Sequence, residues 1–184
     1  MFARTERLLL RPGWIQDAPA LHRALAEEAI VRNLASVPWP YKLEDAEAYL
    51  SAERRPSDVS LLVFRRTGGA PELIGTAGLG RRPDGPIELG YWIGRRWWNR
   101  GYATEAARAV LAIARDGLRL PRLRAGHFLD NPASGRVLEK IGLRPTGIVA
   151  PRFSAGRGEA APCRLFELEL AEEDCPAAMA AMAA

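Results

Sequence analysis

The chain has 184 residues, 48% of them hydrophobic and 26% charged, which suits one domain of roughly 100 to 200 residues and excludes a globally disordered chain. Its 26 basic side chains, nearly all arginine, exceed 22 acidic ones for a formal charge of +4; that excess attracts phosphates of any kind. No zinc-finger spacing, RNP aromatic pattern or basic heptad points it at nucleic acid, and no apolar run approaches the ~20 residues that span a bilayer.

The N-terminus carries an acid at Glu6 and only three consecutive apolar residues, so it lacks the features of a secretory signal, and a cytoplasmic location is expected. Residues 6–11 alternate weakly and stop at Pro12-Gly13, which predicts a first strand. From Asp17, apolar residues at Leu21, Ala24, Leu25, Ile30 and Val31 predict a helix running to Asn33. Val37-Pro38-Trp39-Pro40 breaks it, and a second amphipathic helix is expected over 43–54, with Ala46, Tyr49 and Leu50 inward. Residues 59–66 and 72–79 pair as a hairpin around Gly68-Gly69, and Pro83-Asp84-Gly85 turns into a strand at 87–94. The Ala- and Leu-rich stretch 103–114 is the strongest helix. A strand at 122–128, a helix at 131–141 ended by Gly142, and strands at 143–149 and 164–170 follow.

This order describes a mixed α/β domain over 1–170, with seven strands in a partly antiparallel sheet, and no doubly wound nucleotide fold. The Ala-rich tail 171–184 is expected to be flexible. Cys163 and Cys175 stand twelve positions apart with only His22 and His127 as further soft ligands, so neither a metal site nor a disulfide framework is expected.

The chemistry concentrates at Arg95-Arg96-Trp97-Trp98-Asn99-Arg100-Gly101-Tyr102-Ala103-Thr104-Glu105-Ala106. A strand-to-helix loop with one glycine at its neck aims unpaired N–H groups outward, where the helix dipole adds roughly half a positive charge. Arg95, Arg96 and Arg100 add attraction, Gly101 permits close approach, and Ala103 keeps the first turn clear. On spacing alone an ordinary turn and a phosphate cradle are equally open. On the preceding strand, Glu88, Gly90, Trp92 and Gly94 share one face. Glu88 is the odd residue, since a carboxylate in an apolar strand needs a cleft or a partner.

Ile87-Glu88-Leu89-Gly90-Tyr91-Trp92-Ile93-Gly94, followed by Trp98-Asn99-Arg100-Gly101-Tyr102-Ala103-Thr104-Glu105-Ala106, closely resembles the GNAT N-acetyltransferases of the RimJ/RimL type. Asn131-Pro132-Ala133-Ser134 and Val137-Leu138-Glu139-Lys140-Ile141-Gly142-Leu143 match that subgroup's second motif. Weaker agreements at Arg7-Leu8-x-Leu10-Arg11-Pro12, Asp45-Ala46 and Leu73-Ile74-Gly75 extend the resemblance over about residues 5 to 170.

The resemblance implies a mostly antiparallel seven-stranded sheet with helices on both faces, acetyl-CoA held in a splay between its fourth and fifth strands, its pyrophosphate on the loop from Arg100 to Thr104, and no metal. It implies that backbone N–H groups at Tyr91, Trp92 and Ile93 face the thioester, that Glu88 is the general base, that Asn131 contacts the cofactor arm, and that Ser134 stands near the departing thiolate. Trp98 stands where the wider superfamily often has Gln or Arg, and Leu138 where many members have a tyrosine acid. The acid is therefore Tyr91, Ser134 or solvent. Glu88 as a salt bridge or substrate anchor, Asn131 as a helix cap, and His127 as a relay or a packed side chain stay open.

The acceptor implied is an amine, either a protein N-terminus or a small molecule. Trp39, with Glu88 and Arg152, is expected to frame its pocket together with the loop carrying Arg157, and those arginines suit an acidic acceptor. Competing readings are a domain that holds CoA without turnover and a basic nucleic-acid binder. Monomer and homodimer are both open.

Overall fold

The computed structural model describes residues 1–55, 58–81 and 85–170. The expected turn at Pro83 and Asp84, the tail from Ala171 and Cys175 lie outside the described residues. The elements are β1 (Ala3–Arg4), β2 (Leu8–Arg11), α1 (Ala18–Leu25), α2 (Glu28–Val31), α3 (Leu43–Ser51), β3 (Val59–Arg65), β4 (Glu72–Arg81) and β5 (Ile87–Ile93). They continue as α4 (Tyr102–Ala112), β6 (Arg122–Phe128), α5 (Pro132–Lys140), β7 (Arg144–Ser154) and β8 (Glu159–Glu169). The described strands form one eight-stranded sheet in the order β1-β2-β3-β4-β5-β6-β8-β7. All neighbours are antiparallel except β5 and β6.

The alternation in β3 explains the layering. Leu61 and Val63 face one side, with Ile74, Leu89 and Ile93, and are covered by Ala106, Ala107 and Val110 of α4 and Leu138 of α5. Leu62 and Phe64 face the other side, with Trp92, under Leu21 and Leu25 of α1, Ile30 and Val31 of α2, and Tyr41. Each such fully buried aliphatic side chain contributes about 1.5–3 kcal/mol. Among the described residues no helix is long and apolar enough to cross a membrane.

Four expectations are corrected. The two-residue strand β1 pairs with β2 and makes eight strands instead of seven; so short a strand carries no periodic signal. The helix expected up to Asn33 breaks at Ala26 and Glu27, where the backbone leaves the helical region and Glu27 is extended. Leu25 to Ile30 is a five-residue step, about 140° off a helical stripe, so one straight helix could not bury both. Tyr49 of α3 does not point inward: its hydroxyl meets Ser60 Oγ at 2.6 Å in an exposed setting. The last two strands are longer than expected and form one hairpin through Arg144 to Glu169.

The tip of that hairpin reaches across the molecule. Ser154 Oγ donates to the Leu34 carbonyl at 2.8 Å, and the Ala155 N–H to the Ala35 carbonyl at 2.8 Å. These bonds tie the β7–β8 tip to the connection between α2 and α3.

Candidate active site

The two halves of the sheet touch at a single parallel bridge, Glu88 with Arg124, beyond which β5 and β6 part. The direction of the β5 backbone groups follows from Gly94, whose N–H donates to the Ile74 carbonyl of β4 at 2.7 Å. Along an antiparallel ladder donors alternate sides, so Trp92 and Gly90 also face β4 while Tyr91 and Ile93 turn into the gap. Of the three expected backbone contacts, Trp92 is therefore misplaced: its backbone belongs to the β4 ladder and its side chain to the α1–α3 core. Trp98 Nε1 donates to the Ile93 carbonyl at 2.6 Å, so this tryptophan closes the top of the strand.

The gap leads to the start of α4. Gly101 precedes the helix with φ of 79°, and no side chain caps the first turn; a left-handed residue here favours glycine. The N–H groups of Tyr102, Ala103 and Thr104 are thus the orphan donors of a helix N-terminus, beside an alanine that adds little bulk. A diphosphate fits this donor set and charge. Of the three arginines, Arg96 pairs with Glu72 and lies 4.9 Å over the Trp97 ring, and Arg100 lies 5.1 Å over the same ring. Arg95 is exposed in the turn between strand and helix.

Glu88 is half-buried and accepts a hydrogen bond from Arg152 Nη2 at 2.8 Å. Arg152 starts on β7 and reaches toward β5 over Gly126 of β6, where a Cβ would stand 3.4 Å from Nη1. The pair is therefore a strut across the splay. Arg157 forks onto both oxygens of Asp130 at 2.9 Å, while its Nε donates to the Arg32 carbonyl at 2.6 Å. Together with Arg32 it holds the Asp130 carboxyl below the usual carboxylate range. Both arginines expected to meet an acidic acceptor are already matched to acids of the protein, which removes the basis for that preference.

Across the gap stands α5. Asn131 Oδ1 accepts the Ser134 N–H at 3.4 Å and caps the helix. Tyr91 donates its hydroxyl to the Ser134 carbonyl at 3.0 Å and also meets Ser134 Oγ at 3.0 Å. Burial pushes the Tyr91 hydroxyl up to about 12, against the opposing hydrogen bond with Ser134, so it stays protonated at neutral pH. A hydroxyl has one hydrogen; when Tyr91 turns its own to Ser134 Oγ, the Ser134 hydrogen is left to donate elsewhere.

Two of the remaining candidates pack beside this arrangement, His127 against Gly135 of α5 and Cys163 against Gly126 of β6, and the third lies outside the cleft. His127 Nδ1 lies 2.8 Å from the Phe128 carbonyl, and its ring packs 5.6 Å from Phe166. Cys163 is buried beside Phe128 and Ala161. Trp39 is exposed on the α2–α3 connection and does not line the cleft that opens at the site. That cleft, of about 600 Å³, runs between Glu28 and Arg32 of the α2 region, Trp98, and Asn131, Ala133 and Arg136 of the α5 start. Sequence reasoning gave no site role to Arg7, Asp130 or Arg136. Arg7 and Glu105 both stood inside quoted motifs, yet only the fold brings them together.

Residues 7–144 match the family model described as an acetyltransferase (GNAT) domain. The uncharacterised N-acetyltransferase YoaA of Bacillus subtilis (strain 168) is 31% identical over 152 residues, covering 79% of this chain and 84% of that protein. Among solved structures, an acetyltransferase (GNAT family) from Bacillus anthracis superposes with a TM-score of 0.78 at 25% identity, over 94% of this chain and 100% of that one. RimL, a ribosomal L7/L12 alpha-N-protein acetyltransferase in complex with coenzyme A, shares the fold with a TM-score of 0.75 at 19% identity, over 92% and 98%. The splay, the uncapped helix start and these matches agree: the chain belongs to the GNAT family and is an acyltransferase of the N-acetyltransferase kind.

Proposed function

We propose that the chain moves an acetyl group from acetyl-CoA to a primary amine, a protein N-terminus or a small molecule, by direct attack in a ternary complex. The observation that carries this is the continuity of the gap. It opens past the Glu88–Arg124 bridge, is lined by the backbone of Tyr91 and Ile93, and ends at the uncapped start of α4. The coenzyme in the fold neighbour RimL supports the donor, and that protein's action on an N-terminus supports one of the two acceptor classes.

The thioester supplies an activated acyl group, and the chain's residues supply alignment. The α4 donors hold the diphosphate. The N–H groups of Tyr91 and Ile93 polarise the carbonyl. Ser134, oriented by Tyr91, donates a hydrogen bond to the departing sulfur. An alkylammonium must lose a proton before attack, and Glu88, fixed by Arg152, accepts it directly or through a water; a placed base contributes about 10²–10⁴-fold. Cys163 is buried, so no acyl-enzyme is invoked.

One observation favours a second reading, a domain that holds the coenzyme without turnover: Glu88 is already engaged by Arg152. Incubation with acetyl-CoA, a thiol reagent and a panel of amines and peptides separates the two. Thiol release dependent on an amine, with intersecting initial-rate lines and an active Cys163→Ala variant, is the expected result. Binding without release would leave the silent domain, and a trapped acetyl-cysteine would overturn direct attack.

A further inference from the structure

Behind the first turn of α4, Thr5, Arg7 and Glu105 form a closed knot. Glu105 Oε1 accepts the Thr5 hydroxyl at 2.5 Å and the Arg7 backbone N–H at 3.0 Å. Its Oε2 accepts Arg7 Nε at 2.7 Å and pairs with Nη2 at 2.6 Å. Arg7 has one arm left: Nη1 donates to the Arg100 carbonyl at 3.0 Å, and the guanidinium lies 4.5 Å over the Tyr102 ring. A Cβ on Gly101 would stand 3.4 Å from Nη2. One side chain therefore touches the residue before the neck, the neck, the first residue of the helix and its fourth.

The charges explain why this matters. Burial pushes the Glu105 carboxyl up, but the hydrogen bonds from Thr5 and Arg7 outweigh that and hold it below the usual carboxylate range. It is an anion at neutral pH. A carboxylate in the first turn satisfies the positive end of a helix, and so competes with any anionic ligand that the same end must hold. Arg7 cancels that charge and pins the Arg100 carbonyl on the loop from which the free N–H groups project.

We infer that Arg7 is a positioning residue of the coenzyme site: by neutralising Glu105 and anchoring the loop at Arg100, it reserves the positive end of α4 for the diphosphate. This rests on the coenzyme reading above. It also gives a purpose to the Arg7 motif, which the proposed chemistry leaves unused.

The test is calorimetric titration of coenzyme A into wild type, Arg7→Met, Arg7→Lys and Glu105→Gln at low and high salt. Removing the cation strands Glu105 beside the site, so Arg7→Met is expected to weaken binding about tenfold at low salt, and less at high salt, where the repulsion is screened. Removing the anion leaves Arg7 unmatched, so Glu105→Gln is expected to tighten binding about two- to fivefold. Arg7→Lys is expected to recover part of the loss. A merely structural brace would make both neutralising variants worse, without salt dependence, and that result overturns the inference. Should Arg7→Met not fold, the sign of the Glu105→Gln change still decides, with weaker or unchanged binding counting against it. Wild type that fails to take coenzyme A would sink the coenzyme reading itself, which the first titration reveals separately.

Discussion

Two helices begin on either side of the splay, and they begin differently. α4 starts from a left-handed glycine with no capping side chain; α5 starts from Asn131, whose side chain caps it, with Pro132 at its first position. An uncapped start leaves backbone donors for a ligand, whereas a capped one has satisfied its own and offers side chains instead. In the proposed function the difference divides the labour of the site: α4 would hold charge, and α5 would present Ser134 to the reacting end.

The largest expected effect breaks the α4 half. Ala103→Glu puts bulk and charge where the diphosphate would lie, yet an acid in the first turn suits the helix. The variant should therefore fold normally and lose coenzyme binding by about 100-fold or more, read by titration calorimetry. Normal binding would place the diphosphate elsewhere.

On the α5 half, Ser134→Ala is expected to lower kcat about 10- to 100-fold while the KM for acetyl-CoA stays within about threefold. Tyr91→Phe should do less, since it only orients Ser134. It should also flatten part of the alkaline stability limb. Tyr91 is raised from 10.0 to about 12 in the fold, so between those values the folded state keeps a proton that the unfolded chain has lost. Stability is full below about 10 and falls as pH rises toward 12. Tyr41, also raised to about 12, contributes the same sign and remains in the variant. An unaltered alkaline limb in Tyr91→Phe would show that this hydroxyl does not carry the linkage.

Between the halves, Glu88→Gln should reduce turnover at neutral pH by about 100-fold and converge on wild type as pH rises and more amine is already neutral. A reduction constant with pH would assign Glu88 to holding Arg152. The smallest effect belongs to Asn131→Ala, which removes one cap and should cost about 1 kcal/mol of stability by denaturant titration. A full loss of activity there would mean that Asn131 contacts the reacting groups and is more than a cap.

Much of this arrangement was legible beforehand, for identifiable reasons. β6 falls at the expected residues, and α4 within two positions of them, because their patterns are long and periodic. The Gly101 neck was readable because only a turn of that kind needs glycine before an Ala-rich helix. What was not legible depends on distance along the chain. Arg7 meets Glu105 across 98 positions, Arg152 meets Glu88 across 64, and Arg157 meets Asp130 across 27. Charge pairing leaves no local trace, so Arg152 and Arg157 read as unclaimed cations and drew the expectation of an acidic acceptor. Trp92 was misread for a related reason: its place in the motif marked it as a coenzyme contact, while the register with β4 turns its backbone away from the gap.

If this splay, ending at α4, holds acetyl-CoA in the native state, thermal unfolding across a coenzyme titration will register it. A ligand selective for the folded chain stabilises it by mass action, by about 2.7 kcal/mol at a hundred times its Kd. The Tm is expected to rise with acetyl-CoA in wild type and in Cys163→Ala but not in Ala103→Glu. A wild-type Tm that does not move at millimolar acetyl-CoA, or an equal rise in Ala103→Glu, would contradict that placement.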